Sequence, residues 1–139
     1  FVDIDREIET QTKMSIKKIF EEKGENYFRK VEETITLKCL KLNNVIISLG
    51  GGGFVNKEIR KEVLKNHLSF WLNWKNEILI NRIKNSSKRP LVYNASDNEI
   101  MNLIKKRVIV YSKALFEIKC DNLTKNQIVK KVLNIYETY

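Results

Sequence analysis

Two cysteines and one histidine are all that 139 residues offer to metal-ligand or thiol chemistry. Cys39 and Cys120 are too few for a disulfide framework, and neither has a second Cys or a His at ligand spacing. With His67 as the sole imidazole, a zinc site or a His-based nucleophilic triad has almost no material, and His67 is assigned no chemistry. No apolar run approaches the roughly 18 residues a membrane span needs, and no signal-peptide pattern opens the chain. A reducing cytoplasm is the natural home for such a sequence. Proline occurs once, at Pro90, and glycine five times. No internal repeat, low-complexity tract or linker interrupts the chain, so residues 1–139 read as one domain. At 42% hydrophobic, it can bury a real core.

Positive charge is in excess, with a formal net charge of +9. Nucleic acid, a membrane surface and small anionic ligands would all answer to that field. Nucleic-acid binders cluster their basic residues and interleave them with aromatics. Here the lysines are scattered along helices and mixed with glutamates, as in "IKKIFEEKGE". The pattern is that of a solvated surface, with no nucleic acid or membrane as partner. The field still favours phosphorylated or carboxylated ligands.

Strand and helix signals alternate along the chain. "FVDIDREIE" opens without a Met, and Phe1–Asp3 reads as a buried strand already under way. A short helix is expected from Asp5, where the carboxylate could also serve as N-cap, to about Thr12. Ser15 can cap a second helix ending near Gly24. A longer one follows from about Glu25 to Leu42, with Phe28, Val31, Ile35 and Cys39 at helical spacing. "NVIISL", 44–49, is a continuous apolar run before glycines, which predicts a strand buried on both faces. "LSFWL", 68–72, and "LFEIKC", 115–120, are further strands. Ser96 with Glu99, and Thr124 with Gln127, form capping boxes that open the last two helices. Strands separated by helices predict an α/β fold, with a parallel sheet covered on both faces.

Ligands in such sheets bind at the carboxyl ends of the strands, and three features fall there. Asp3 and Asp5 stand where the first strand gives way to helix. "GGGG", 50–53, follows directly on the strand 44–49 and gathers four of the five glycines. One or two glycines suffice for a tight turn; a run lets backbone N–H groups approach a ligand without obstruction by Cβ. The third feature is the polar stretch "NSSKRPLVYNASDNE", 85–99. It has the composition of a lid over phosphates, with Arg89 as its sharpest candidate because a guanidinium can bridge phosphate oxygens.

Together, "FVDIDREIE…MSIKKIFEEKGENYFRKVE", "VIISLGGG", "KRPL" and "IKKR…Y" resemble shikimate kinase in order and spacing across the whole chain. The resemblance implies a P-loop protein of the nucleoside-monophosphate-kinase type: a three-layer α/β/α fold with a parallel sheet in order 2-3-1-4-5. It implies, for the complete protein, transfer of the γ-phosphoryl of ATP to the 3-hydroxyl of shikimate in aromatic amino-acid synthesis, by a cytoplasmic monomer using Mg2+, with residues 1–139 alone expected to be inactive. Asp5 then resembles the carboxylate that hydrogen-bonds the shikimate hydroxyls and orients the nucleophile. Asp3 resembles the aspartate that contacts magnesium through water. Arg29 and Arg107 resemble the pair that grips the substrate carboxylate, and Gly51, with Gly50 and Gly52, the backbone contact to substrate. Phe20, Phe28 and Glu32 match positions lining or bracing that pocket, and Arg89 the lid arginine over the nucleotide, in a lid at about 85–96.

The chain also departs from the family's pattern. Val108 and Ile109 stand where Ala-Pro is usual before Tyr111, which could relax the segment presenting Arg107. Gly53 replaces a small residue and is expected to be harmless. Thr124 and Lys125 are poor candidates for the basic residue some members place beside adenine. No glycine begins the G-x-x-x-x-G-K-[ST] loop on which such kinases hold ATP phosphates. The expectation is therefore that the first strand, the P-loop and the first helix, on the order of 30 residues, are missing ahead of "FVDID". The resemblance then implies that Phe1–Asp3 pairs with 44–49 and, separately, 68–72 with 115–120. A noncatalytic binder of shikimate-like anions, a basic nucleic-acid-binding domain and a related small-molecule kinase such as gluconate kinase remain open as alternatives.

Overall fold

The fold was analysed in a computed structural model, which describes residues 1–85 and 95–139. Asp3 turns the chain from strand to helix at its outset. It ends β1 (Val2–Asp3), and its side chain accepts hydrogen bonds from the backbone N–H groups of Asp5 and Arg6, capping α1 (Ile4–Thr12). The cap is thus Asp3 rather than Asp5, which lies inside the first turn with its carboxylate released from that task.

Ser15 caps α2 (Ile16–Cys39), whose two halves meet at Gly24. Gly24 has φ 78° and ψ 172°, a conformation open essentially to glycine alone. This is the break expected between two sequence-predicted helices. The downstream half buries Phe28, Glu32, Ile35, Thr36 and Cys39 along one stripe. Ile4 and Ile8 of α1 pack with Ile19, Phe28, Ile35 and Cys39 to form one core.

β2 (Ile47–Ser48) pairs in parallel with β1, Val2 opposite Ile47 and Asp3 opposite Ser48. A single 3₁₀ turn at Gly53–Val55 then leads into α3 (Lys57–Asn66), capped by Asn56. β3 (Phe70–Asn73) is followed by α4 (Asn76–Lys84) and α5 (Asp97–Tyr111). β4 (Phe116–Lys119) lies parallel to β3, with Phe70 opposite Phe116 and Asn73 opposite Lys119, and α6 (Lys125–Thr138) closes the chain. Both predicted capping boxes, Ser96–Glu99 and Thr124–Gln127, are formed. The two buried cysteines are unpaired, and burial pushes both thiols up, away from reactive thiolate.

Among the described residues the strands make two separate two-stranded parallel sheets, β1–β2 and β3–β4. That is the pairing implied by the order 2-3-1-4-5 when its central strand is not counted. β2 was expected to be buried on both faces and is not: Ile46 is 64% exposed and Ser48 is exposed. Its only ladder partner is β1, and only Ile47 and Leu49 reach the cores beneath. The proposed lid, Arg89 included, falls almost wholly outside the described residues.

Gly24 offers a clean test of this backbone. A Cβ there would meet nothing within 4 Å, so substitution adds strain and no collision. Gly24→Ala should therefore lower stability by about 1–3 kcal/mol through backbone strain alone. In urea unfolding the midpoint should drop at unchanged slope; an unshifted midpoint would show that Gly24 is replaceable.

Candidate active site

Three elements converge where β2 ends. The loop 50–53 leaves β2, the downstream half of α2 brings Arg29 and Glu32, and the last turns of α5 bring Arg107 and Tyr111. Asp5 enters from the first turn of α1, held there because Asp3 caps that helix.

The glycines record how closely these side chains approach. A Cβ built on Gly50 would stand 2.6 Å from Asp5 Oδ1 and 3.3 Å from Glu32 Oε1. On Gly51 it would stand 3.3 Å from Arg107 Nη1, and on Gly52 2.8 Å from Arg29 Cζ. Each of the three glycines thus faces a different one of the polar groups singled out from the sequence. None of the three has positive φ, so what demands glycine is close approach and not backbone conformation. Gly53 differs. A Cβ there makes an ordinary 3.5 Å contact with Leu49, so a small side chain fits, as expected.

Glu32 sits where the amphipathic stripe of α2 calls for an apolar side chain, and it is 1% exposed. Burial pushes its carboxyl up from the usual carboxylate range, and nearby Asp5 adds to this. The hydrogen bond and charge of Arg29, with Arg107 more weakly, pull the other way without overcoming burial. Arg29 donates to Glu32 Oε2 at 2.6 Å and, from Nε, to Glu25 Oε1 at 3.3 Å on the helix surface. Its guanidinium lies 5.2 Å from the centroid of the Phe28 ring, which itself packs on Phe20 at 4.7 Å. Phe28 belongs to the core and Phe20 borders it, so the two rings floor the position of Arg29.

Arg107 stands in a different electrostatic setting. Among the described residues no carboxylate lies within ion-pair distance of it, whereas Arg29 has two. The phenol of Tyr111, one helical turn on, donates a hydrogen bond to the carbonyl of Gly51. The Phe54 and Trp71 rings stand near it, centroids 6.4 Å away in each case. This residue carried no role in the sequence reading beyond its retention in the "VIVY" segment. Val108 and Ile109 do not loosen the presentation of Arg107; with no proline, α5 runs unbroken to Tyr111.

The remaining candidates lie apart from this cluster or at its margin. Asp3 spends Oδ1 on the cap of α1. His67 ends α3, and its Nε2 is 3.8 Å from Glu62 Oε1. Thr124 is occupied in its capping box. Among the described residues no group of three His, Cys, Asp or Glu could hold a metal ion, and no helix is long and apolar enough to cross a membrane.

A model of the shikimate kinase family matches residues 1–137. A shikimate kinase of Bacillus subtilis is 38% identical over 141 residues, an overlap that takes in 96% of this chain and 73% of that one. The crystal structure of shikimate kinase from Aquifex aeolicus superposes with a TM-score of 0.83 at 32% identity, covering 99% of this chain and 82% of that one. Shikimate kinase from Acinetobacter baumannii, solved in complex with shikimate, superposes at 0.92 over 99% of this chain and 78% of its own. At 24% identity that last likeness is one of fold.

The buried ion pair yields a pH prediction. Arg29→Met removes the two larger of the three influences that lower the Glu32 pKa, leaving only the weaker one of Arg107 against burial. A carboxyl whose folded pKa lies above its unfolded value lends stability that is complete below the unfolded value and is lost as pH rises through the folded one. The melting-temperature deficit of Arg29→Met should therefore be small at the pH where a free carboxyl titrates and widen as pH rises through the raised folded pKa. Adding Glu32→Gln should flatten it. A deficit independent of pH in the single variant would mean that the pair does not control Glu32.

Proposed function

The chain belongs to the shikimate kinase family, and on that premise we propose that the loop 50–52, Asp5, Arg29 and Arg107 form the pocket in which the acceptor is held. The reaction is ATP-dependent phosphorylation of shikimate, with ATP as co-substrate. One observation carries the assignment of residues: three successive glycines each face a different ionic side chain, at less than the room a Cβ needs for Gly50 and Gly52 and at a tight 3.3 Å for Gly51. A small polyol carrying one carboxylate suits such a pocket. Two guanidiniums fix the anionic end, and a carboxylate selects a hydroxyl at the other.

The roles follow from the chemistry. Phosphoryl transfer asks mainly for positioning and for neutralisation of charge. The 3-hydroxyl donates its hydrogen bond to the Asp5 carboxylate, which accepts the proton as the oxygen bonds to the γ-phosphorus and the bond to the ADP oxygen breaks. Glu32 holds Arg29 upright against the loop; Phe20 and Phe28 support it from below. Bound magnesium would neutralise charge on the transferring phosphates. It keeps several waters and needs few protein oxygens. With Oδ1 committed to the helix cap, Asp3 suits a contact through water and does not suit a full cage. Residues 1–139 act as one domain of a cytoplasmic monomer in this reading, and the described residues account for the acceptor side of the reaction.

Paired alanines test the glycine assignment. Gly52→Ala should drive the Arg29 guanidinium off the loop and weaken shikimate binding at least about tenfold, the loss of one charge-assisted contact. Gly53→Ala, with room for its methyl, should bind like the parent. Equal binding by both variants would remove Arg29 from the pocket. Asp5 has its own test, in turnover. Asp5→Asn keeps the size of the side chain and loses the proton acceptor, so kcat should fall by about 10²–10⁴ with little change in shikimate binding. Parent-like turnover would leave Asp5 a spectator.

A further inference from the structure

The glycine loop is held from α5 at two points. Tyr111 donates to the carbonyl of Gly51, and Arg107 approaches the same residue at its Cα, 3.3 Å from where a Cβ would be. Arg107 and Tyr111 are four residues apart in one unbroken helix, so their side chains leave the same face one turn from each other. Tyr111 is half-buried, with Phe54 of the 3₁₀ turn on one side and Trp71 of β3 on another. Val110 and Tyr111 also pack on the core formed by Leu40, Phe54, Ile59 and Val63. The phenol is therefore fixed by its ring before its hydroxyl reaches the loop.

We propose that Tyr111 is a positioning residue for the acceptor site: its hydrogen bond to Gly51 sets the gap between the loop and Arg107. The inference rests on the reading of Arg107 as a carboxylate clamp. Among the described residues Arg107 has no acidic neighbour at ion-pair distance to hold it, unlike Arg29, which Glu32 and Glu25 both engage. Its placement relative to the loop must come from the backbone that carries it and from whatever ties that backbone to the loop. The helix supplies the first and Tyr111 the second. With no proline at Ile109, the helix between the two residues transmits the register of one to the other.

A double-mutant cycle in the full chain tests this, with shikimate as the titrant and calorimetry as the readout. Arg107→Ala should weaken shikimate binding at least about thirtyfold if the clamp reading holds. Tyr111→Phe keeps the ring and removes one hydroxyl, so binding should weaken about three- to tenfold, the worth of one neutral hydrogen bond, with the melting temperature nearly unchanged. In the Arg107→Ala background, Tyr111→Phe should cost almost nothing further, because the residue acts through Arg107. Parent-like binding by Arg107→Ala would overturn the clamp reading itself. Weakened binding by Arg107→Ala, combined with parent-like binding by Tyr111→Phe or with additive losses in the double variant, would overturn the role of Tyr111 alone.

Discussion

Taking the Glu32 carboxylate out of water costs several kcal/mol, and the Arg29 guanidinium offsets that cost only while it stays within hydrogen-bond reach. Arg29 is thereby pinned from inside the protein, and its outward side is what the glycine loop meets. The loop then has no freedom to carry side chains at 50 or 52, since those positions are filled by Asp5, Glu32 and Arg29. The buried pair so dictates the residue type at 52, and shares with Asp5 in dictating that at 50. A buried ion pair is weak evidence for stability, since an apolar pair of similar volume often does as well or better. Its presence here on an otherwise apolar stripe is better explained by what it orients.

The separation of the strands into two sheets has a consequence for where stability resides. Each sheet alone is a two-stranded unit, marginal unless covered. Helix packing provides most of the cover: α1 on α2 beneath β1–β2, and Ile83 with Ile100 and Ile104 between α4 and α5. Among the described residues, Val110 and Tyr111 of α5 pack on the core of Leu40, Phe54, Ile59 and Val63, beside the proposed acceptor site. Tyr111 touches Gly51 and Phe54 on one side and Trp71 on the other. The proposed site is thus at a seam, and the contacts around it also tie β2 to β3 through α5.

Much of this was legible in the sequence because the signals are local. Ser96 with Glu99 and Thr124 with Gln127 announce helix starts through side chains that satisfy nearby backbone groups, whatever the tertiary context. Gly24 marked the break in α2 for the same reason. The N-cap was misplaced by two residues, from Asp3 to Asp5, because both are good caps and only the strand pairing of Val2 and Asp3 decides between them. Burial of β2 was overread: an apolar run speaks to the intrinsic character of a strand and is silent on what lies beside it. Glu32 carried a visible signal, a lone acid on the stripe between Phe28 and Ile35, although it was singled out by family resemblance. Tyr111 was visible only as the last letter of the "IKKR…Y" pattern and carried no role, since the carbonyl it bonds is 60 residues away in sequence.

In the proposed site the two arginines do unequal work, and the inequality follows from their neighbours. Arg29 shares its charge with Glu32 and Glu25, so an incoming carboxylate meets a guanidinium already partly neutralised. What Arg29 offers is direction, since its plane is fixed by Glu32 and by the Phe28 ring. Among the described residues Arg107 has no carboxylate at ion-pair distance and acts on Glu32 more weakly than Arg29 does, so in the proposed site it supplies attraction with less to orient it. A pocket built from two free arginines would bind many anions loosely. One built from two engaged arginines would hold its shape and attract little. Pairing one of each, with Tyr111 and an unbroken helix standing in for the close carboxylate that Arg107 lacks among the described residues, gives the proposed site both an oriented contact and a strong one.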